Sequence, residues 1–319
     1  MSRRPKASKW AKGGIALLAV LLLLSPAFFP LSRLNITPDR SPFASSLQQA
    51  LGLNQPAEGQ LPPEFTIIGH RGSDHGIENT RSAIQHGIDS GADWIEVDVV
   101  RCQDELILFH DLVIDRWLET LGRTSYEGPR EIASLSLAEL HRIQKAENPD
   151  EQILSLSELF VHFPPERVKQ KWVIDVKQPG ISEEVTEALS SPALKDRILL
   201  LGVSSLLIEY KEAGHPLGYA AGWTEKGNRR QFLFGHDFLL ERCRNLGENL
   251  QVLALPEIFL NAKLLDEAQQ EFPGLQFWTY LGETPESWTK NLQFGVDGLI
   301  VDRVEAAASF RNEQTGSSH

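Results

Sequence analysis

Between residues 65 and 111 the chain reads Phe65-Thr66-Ile67-Ile68-Gly69-His70-Arg71-Gly72, then Glu78-Asn79-Thr80, Trp94-Ile95-Glu96-Val97-Asp98-Val99 and His110-Asp111. Imidazoles, a guanidinium and carboxylates therefore punctuate short apolar runs. Charge at the ends of apolar strands is costly unless it is paired or used. Imidazoles move protons near neutral pH, carboxylates hold divalent cations, and a guanidinium pairs with phosphate. The chemistry this set could perform is metal-assisted attack on a phosphodiester. One histidine would take a proton from the nucleophile, and the other would protonate the leaving alkoxide.

Strand alternation decides which of these groups can meet. In the run 94–101, Glu96 and Asp98 share one face while Ile95, Val97 and Val99 share the other. The run 172–177 repeats the pattern, with Val173, Asp175 and Lys177 on one face and Trp172, Ile174 and Val176 on the other. If the apolar sets meet a layer of helices, the acids point inward near the C-terminal ends of their strands. Three oxygen donors without a cysteine or a close histidine pair suit one divalent cation, Mg2+ or Ca2+, better than Zn2+. The competing reading of Asp175 and Lys177 is a mutual ion pair. His70 ends the first strand and His110 the third, so the two are expected to meet across neighbouring strands of a parallel barrel. Gly69 and Gly72 allow close backbone approach beside them.

Alternating strand-like and helix-like segments set these groups in place. Strands are expected at 65–69, 94–101, 106–110, 172–177, 198–202, 217–221, 252–255, 275–280 and 298–301. Helices are expected at 80–90, 136–145, 155–162, 182–190, 204–213, 228–234, 262–271 and 285–293. That rhythm has the size of a TIM (β/α)8 barrel spanning 65–310. The stretch 112–133 lacks periodicity and reads as a small insertion after the third strand, and 311–319 reads as a disordered tail.

The body is acidic. Residues 1–33 carry six basic residues and no acidic one, leaving 43 acidic against 25 basic residues elsewhere, a balance that disfavours nucleic acid as a partner. Arg3, Arg4, Lys6, Lys9 and Lys12 precede an uncharged run of 19 residues from Gly13 to Leu31. A bilayer crossing takes about 20 residues, so this arm is expected to be a transmembrane helix or signal segment. A retained single-pass anchor, with the catalytic domain on the non-cytoplasmic side, is the favoured reading. The alternative is cleavage near Ser25-Pro26-Ala27 to a secreted or periplasmic protein. Residues 34–64, with Pro38, Pro42, Pro56, Pro62 and Pro63, form a linker. Cys102 and Cys243 make no metal-ligand spacing and no disulfide framework.

With the motifs in view, the chain resembles the glycerophosphodiester phosphodiesterase family. The family's GHRG, ENT, EVDV and HD motifs stand at Gly69–Gly72, Glu78–Thr80, Glu96–Val99 and His110-Asp111, and its late GVDGxxxD motif at Gly295–Asp302. The resemblance implies a TIM barrel with a small insertion after the HD motif and an acid/base pair of His70 and His110. It also implies a cation held by Glu96, Asp98 and Asp175, phosphate contacts from Arg71 and Lys177, and Glu78 supporting the site or binding substrate. The implied activity is hydrolysis of a glycerophosphodiester to an alcohol and glycerol 3-phosphate. A membrane-associated lysophospholipase D is the alternative, and a non-catalytic lipid- or phosphodiester-binding barrel a third reading.

Three departures bear on specificity. Asp175 stands where the family's IEIK motif has Glu, one methylene longer. Trp278-Thr279-Tyr280-Leu281 replaces WTVN and loses the Asn amide. Trp278, sharing the inward face with Tyr280, is expected to wall the alcohol portion of the substrate, with plain core packing as the alternative. The segment after His110 reads as expanded through Trp117-Leu118-Glu119 relative to HDxxLxRTT, which would shift substrate choice.

Overall fold

The computed structural model describes residues 62, 64–123, 125–145, 148–222 and 237–316. The expected anchor, most of the linker and the helix expected at 228–234 lie outside the described residues. Among the described residues no helix is long and apolar enough to cross a membrane.

Among the described residues nine strands follow in chain order: β1 (Thr66–Gly69), β2 (Trp94–Arg101), β3 (Leu106–Leu108), β4 (Lys171–Val176), β5 (Ile198–Gly202), β6 (Leu217–Ala220), β7 (Leu250–Pro256), β8 (Gln276–Tyr280) and β9 (Gly298–Val301). Eight of them run parallel in the order β1-β9-β8-β7-β6-β5-β4-β2, and pairing of β1 with β2 closes the barrel. Helices α1 (Arg81–Asp89), α2 (Asp115–Thr120), α3 (Leu137–Gln144), α4 (Leu156–His162), α5 (Ser182–Ala188) and α6 (Ser204–Leu207) occupy the first part of the chain. Helices α7 (Asp237–Leu246), α8 (Ala262–Glu271), α9 (Pro285–Gln293) and α10 (Val304–Thr315) follow.

The alternation read from sequence holds in space. Ile95, Val97, Val99, Trp172, Ile174 and Val176 belong to the main core between strands and helices. Ile68, Val173, Leu199, Leu201, Val252, Ala254, Trp278 and Ile300 fill the barrel interior. β5 is apolar on both faces because both are buried. Helix starts are fixed by side chains. Ser136 with Glu139 and Ser155 with Glu158 form reciprocal capping boxes at α3 and α4, and Thr284 accepts from the Ser287 amide at α9.

The third strand differs from expectation. β3 is antiparallel to β2, with Val99 opposite Leu108 and Arg101 opposite Leu106, so it is no barrel stave. β2 overshoots the mouth, turns over residues 102–105 and comes back down as β3. Phe109 then donates its amide to the Asp98 carbonyl at 3.1 Å. His110 thus reaches the mouth from above, where a parallel stave would deliver it from below. Periodicity alone cannot separate the two, because strand direction leaves no mark on a three-residue apolar run.

The insertion has its own small core of Val100, Cys102, Ile107, Phe109, Ile114, Trp117, Leu118, Ile132, Leu135, Leu137, Leu140 and Ile153. Helix α2 lies within the stretch read as aperiodic. Cys102 and Cys243 are free and buried. Residues 311–315 of the expected tail are instead the end of α10, which ends on Gly316 in the left-handed conformation, and 317–319 lie outside the described residues. Helix α10 is anchored by Phe310 against Phe65 and by Arg311, which donates to the Phe65 carbonyl at 3.2 Å.

Glycines let α1 approach the loop after β1. A Cβ on Gly87 in α1 would overlap the backbone carbonyl oxygen of Gly72, as would one on Gly69. Helix propensity alone predicts that Gly87→Ala gains about 1 kcal/mol. Overlap with a backbone atom costs about 1–3 kcal/mol and cannot be relieved by a side-chain rotation. Gly87→Ala is therefore expected to be destabilising, seen as a lower urea midpoint at unchanged slope, and a higher midpoint would refute this packing.

Candidate active site

The loop joining β1 to α1 is built on unusual backbone. Arg71 and Asn79 have φ of 51° and 62°, and Gly72 has 95°. Arg71 is held there from both sides. Its amide donates to Glu96 Oε2 at 2.7 Å, and its carbonyl accepts from the Asn79 amide at 2.9 Å. Asparagine tolerates the left-handed region, and its side chain is free to work elsewhere. Asn79 Nδ2 donates to Asp98 Oδ2 at 2.8 Å, and the Asp98 amide donates back to Asn79 Oδ1 at 3.0 Å. The loop is thereby tied to the second strand at its charged end.

Asp98 is the centre of the cluster and is 0 % exposed. Arg71 Nε lies 3.1 Å from its Oδ2 and Lys177 Nζ 2.8 Å from its Oδ1. Burial opposes its charge, but Lys177, Arg71, His110 and His70 together hold its carboxyl well below the usual range. Both imidazoles therefore act on one carboxylate. Lys177 also contacts Asp175 Oδ2 at 2.5 Å, and burial of its ammonium is outweighed by Asp175, Asp98 and Glu96, which keep it charged.

Glu96, Asp98 and Asp175 are all buried, and one oxygen from each lies within 4.8 Å of the others. Glu96 Oε1 has no hydrogen-bond partner, and Asp98 Oδ1 has no aligned one despite the nearby ammonium. Burial, followed by the charges of Asp98 and Asp175, pushes the Glu96 carboxyl up to about 8. The cluster is short of positive charge at that point. A buried carboxylate oxygen with no donor, beside two more oxygens, fits a hard divalent cation.

Each histidine leans on an aspartate through Nδ1, which leaves Nε2 for chemistry. His70 Nδ1 lies 2.6 Å from Asp302 Oδ1. Burial and Arg71 disfavour its protonation, but the Asp302 hydrogen bond and the charges of Glu96 and Asp302 raise its pKa overall. Glu283 supports that aspartate by accepting the amides of Asp302 at 3.0 Å and Arg303 at 3.2 Å. His110 Nδ1 lies 2.7 Å from Asp111 Oδ1. Asp111 Oδ2 accepts from Arg116 Nε at 2.6 Å, and the same guanidinium reaches Glu78 Oε1 at 2.5 Å. The other oxygen of Glu78 accepts from Arg71 Nη1 at 2.6 Å.

Of the residues singled out from sequence, His70, Arg71, Glu78, Glu96, Asp98, His110, Asp175 and Lys177 are brought together at the C-terminal mouth. Trp278 is not. It is 1 % exposed, packs edge-on against Trp94 at 5.6 Å, and pairs with Gly298, itself opposite Thr66. It therefore sits low in the barrel, several residues beneath His70, and packs where a substrate wall was expected. The segment after His110 is not expanded either. Arg116 stands six residues on, where HDxxLxRTT has its Arg, and the departure is Trp117-Leu118 in place of two threonines, both buried in the insertion core.

Three residues escaped the sequence reading in their roles: Asn79, Asp302 and Arg116. Asp302 was within reach of it, since alternation puts Ile300 and Asp302 on one face at the end of β9. Asn79 and Arg116 stand in the ENT and HDxxLxRTT motifs, but nothing local names Asp98 and Glu78 as their partners.

Known proteins share parts of this sequence and the fold. The model of the glycerophosphoryl diester phosphodiesterase family matches residues 70–211. Human glycerophosphodiester phosphodiesterase 1 is 32 % identical over 127 residues, which are 39 % of this chain and 37 % of the human protein. The match thus spans little more than a third of that relative's length. The glycerophosphodiester phosphodiesterase of Caldanaerobacter subterraneus subsp. tengcongensis is 24 % identical over 258 residues, 75 % of this chain and 94 % of that protein. The fold is shared with a phosphodiesterase of Oleispira antarctica solved with its product sn-glycerol-3-phosphate, at TM-score 0.58 and 20 % identity, covering 78 % of this chain and 96 % of that one. It is shared as well with the glycerophosphodiester phosphodiesterase of Agrobacterium tumefaciens, at TM-score 0.58 and 16 % identity, covering 78 % and 99 %. With two histidines, their aspartates and three buried acids at one barrel mouth, the chain is similar to the glycerophosphoryl diester phosphodiesterase family over residues 70–211.

Proposed function

We propose that the chain is a divalent-cation-dependent phosphodiesterase that hydrolyses glycerophosphodiesters to an alcohol and glycerol 3-phosphate. The observation that carries this reading is that His70 and His110 reach one buried acidic strand from separate segments, the Arg71 amide beside His70 donating to Glu96 at 2.7 Å and the Phe109 amide beside His110 donating to the Asp98 carbonyl at 3.1 Å. The product held by the Oleispira antarctica phosphodiesterase supports the substrate class.

Glu96, Asp98 and Asp175 would hold the cation, which supplies Lewis-acid neutralisation of the phosphate when bound. The remaining work falls to this chain's own groups. One imidazole, its Nδ1 fixed by an aspartate, takes the proton of the attacking hydroxyl at Nε2 as the new P–O bond forms. The other gives a proton to the departing alkoxide as the old P–O bond breaks. Arg71 and Lys177 neutralise charge that builds on the phosphoryl oxygens. Glu78 spends both oxygens on Arg71 and Arg116, which makes it a support for the arginine ahead of a substrate contact.

One observation favours a lysophospholipid as a second reading. Leu112 and Val113, just past His110, are 49 % and 42 % exposed, and Leu281, just past Tyr280, is 39 % exposed. Apolar side chains left in water on segments leading from the site would suit an acyl chain. The basic arm and the run Gly13 to Leu31 agree with action at a membrane, with the barrel on the non-cytoplasmic side.

Exhaustive chelation is expected to abolish release of choline from glycerophosphocholine, with Mg2+ or Ca2+ restoring it, and turnover that survives chelation would remove the cation. His70→Ala and His110→Ala are each expected to lower kcat by roughly 10²–10⁴-fold in the metal-loaded enzyme, and full turnover in either would remove the acid/base pair. Choline release from glycerophosphocholine and lysophosphatidylcholine, compared as kcat/KM, separates the two substrate readings, with the glycerophosphodiester expected to lead. A reporter fused after residue 64 is expected to report from the non-cytoplasmic side, and a cytoplasmic signal would overturn that topology.

A further inference from the structure

Arg116 touches neither the acidic cluster nor either imidazole, yet its contacts run to both. It lies in the first turn of α2, where the helix dipole disfavours a cation, so the helix does not explain its charge. Its neighbours Trp117 and Leu118 are buried in the insertion core, with Trp117 edge-on to Phe109 at 5.5 Å, which fixes the backbone from which it extends. Nε faces Asp111 Oδ2 at 2.6 Å and Nη2 faces Glu78 Oε1 at 2.5 Å. The far oxygens of the same two acids hold His110 Nδ1 at 2.7 Å and Arg71 Nη1 at 2.6 Å. An unbroken chain therefore runs His110, Asp111, Arg116, Glu78, Arg71, Asp98.

We propose that Arg116 is a positioning residue whose guanidinium, spanning Asp111 and Glu78, locks the His110 imidazole and the Arg71 guanidinium into one relative geometry. The inference rests on the phosphodiesterase reading above, in which His110 moves a proton and Arg71 meets phosphate. Two carboxylates presented to different edges of one planar fork call for arginine, because a single ammonium cannot meet both in the same geometry. Without the fork, Asp111 and Glu78 keep their charges and lose their spacing. The imidazole and the phosphate-binding arginine then drift independently, which affects the transition state more than the initial encounter with substrate.

The test uses the full chain loaded with Mg2+ and assayed on glycerophosphocholine. Arg116→Ala is expected to lower kcat by about 30-fold or more with KM changed less than about threefold. Arg116→Lys is expected to recover less than about a tenth of the loss, and added ethylguanidine to restore Arg116→Ala by about fivefold or more. The double variant Arg116→Ala/Asp111→Asn is expected to be about as slow as the slower single variant, because both break one chain. Independently of turnover, the His110 Nδ1 proton is expected downfield in the NMR spectrum of the wild type and shifted or broadened in Arg116→Ala. The proposal is overturned by a kcat within about twofold of wild type, a loss confined to KM, multiplicative losses in the double variant, or an unchanged Nδ1 resonance. A fall in thermal midpoint with no rescue by ethylguanidine would also overturn it, leaving a structural role. A wild-type chain with no turnover but the expected NMR behaviour would overturn the phosphodiesterase reading and leave the clamp standing.

Discussion

A fully buried carboxylate at the barrel mouth sets the terms for everything around it. Asp98 is removed from water, and an isolated charge there would be prohibitive. It survives because Asn79 donates to one oxygen and binds the Asp98 amide in return, while Arg71 and Lys177 supply charge from two sides. The partners arrive from two places in the fold: Asn79 and Arg71 on the loop after β1, Lys177 just beyond β4. Satisfying that one anion therefore fixes the loop's left-handed backbone at Arg71 and Asn79, and with it the direction in which the Arg71 guanidinium points. The neighbouring Glu96 is less well served. Its unpartnered oxygen and raised carboxyl leave it the least well neutralised acid of the cluster.

The two histidines are mounted differently, and the difference follows from topology. His70 and Asp302 follow β1 and β9, adjacent parallel strands in full register, so their contact is set by barrel hydrogen bonding. His110 is carried by a hairpin that rises above the mouth and returns, packed on a satellite core distinct from the barrel's own. Its position depends on the Phe109 amide meeting the Asp98 carbonyl and on the ion pairs through Asp111 and Arg116.

Much of this was legible in the sequence, and what was missed has physical reasons. Period-two alternation in 94–101 and 172–177 placed Glu96, Asp98, Asp175 and Lys177 on the inward face, and the structure agrees residue by residue. The same rule covers Asp302, but not that its partner would be His70, a contact 232 residues away in sequence. β3 was misread because an apolar triplet carries no sign of direction. Trp278 was read correctly as inward and wrongly as high, since alternation gives the face of a strand and not the depth along the barrel axis. α7 went unread. α10 was cut short because small and polar residues at its end suggested a tail, whereas Arg311 and Phe310 tie it to the start of β1.

These mountings make the insertion part of what places His110. Burial of Trp117 against Phe109 fixes the backbone immediately before His110. Threonines in place of Trp117 and Leu118 would leave that core short of apolar volume, a loss of several kcal/mol on the scale of large-to-small substitutions, at about 2–5 kcal/mol each. In this chain the apolar pair beside Arg116 holds the hairpin by packing, and the arginine between hairpin and loop joins it to the barrel by charge. The placement of the two imidazoles is thus decided in two places at once: by strand register for His70, and by the stability of a small separate core for His110.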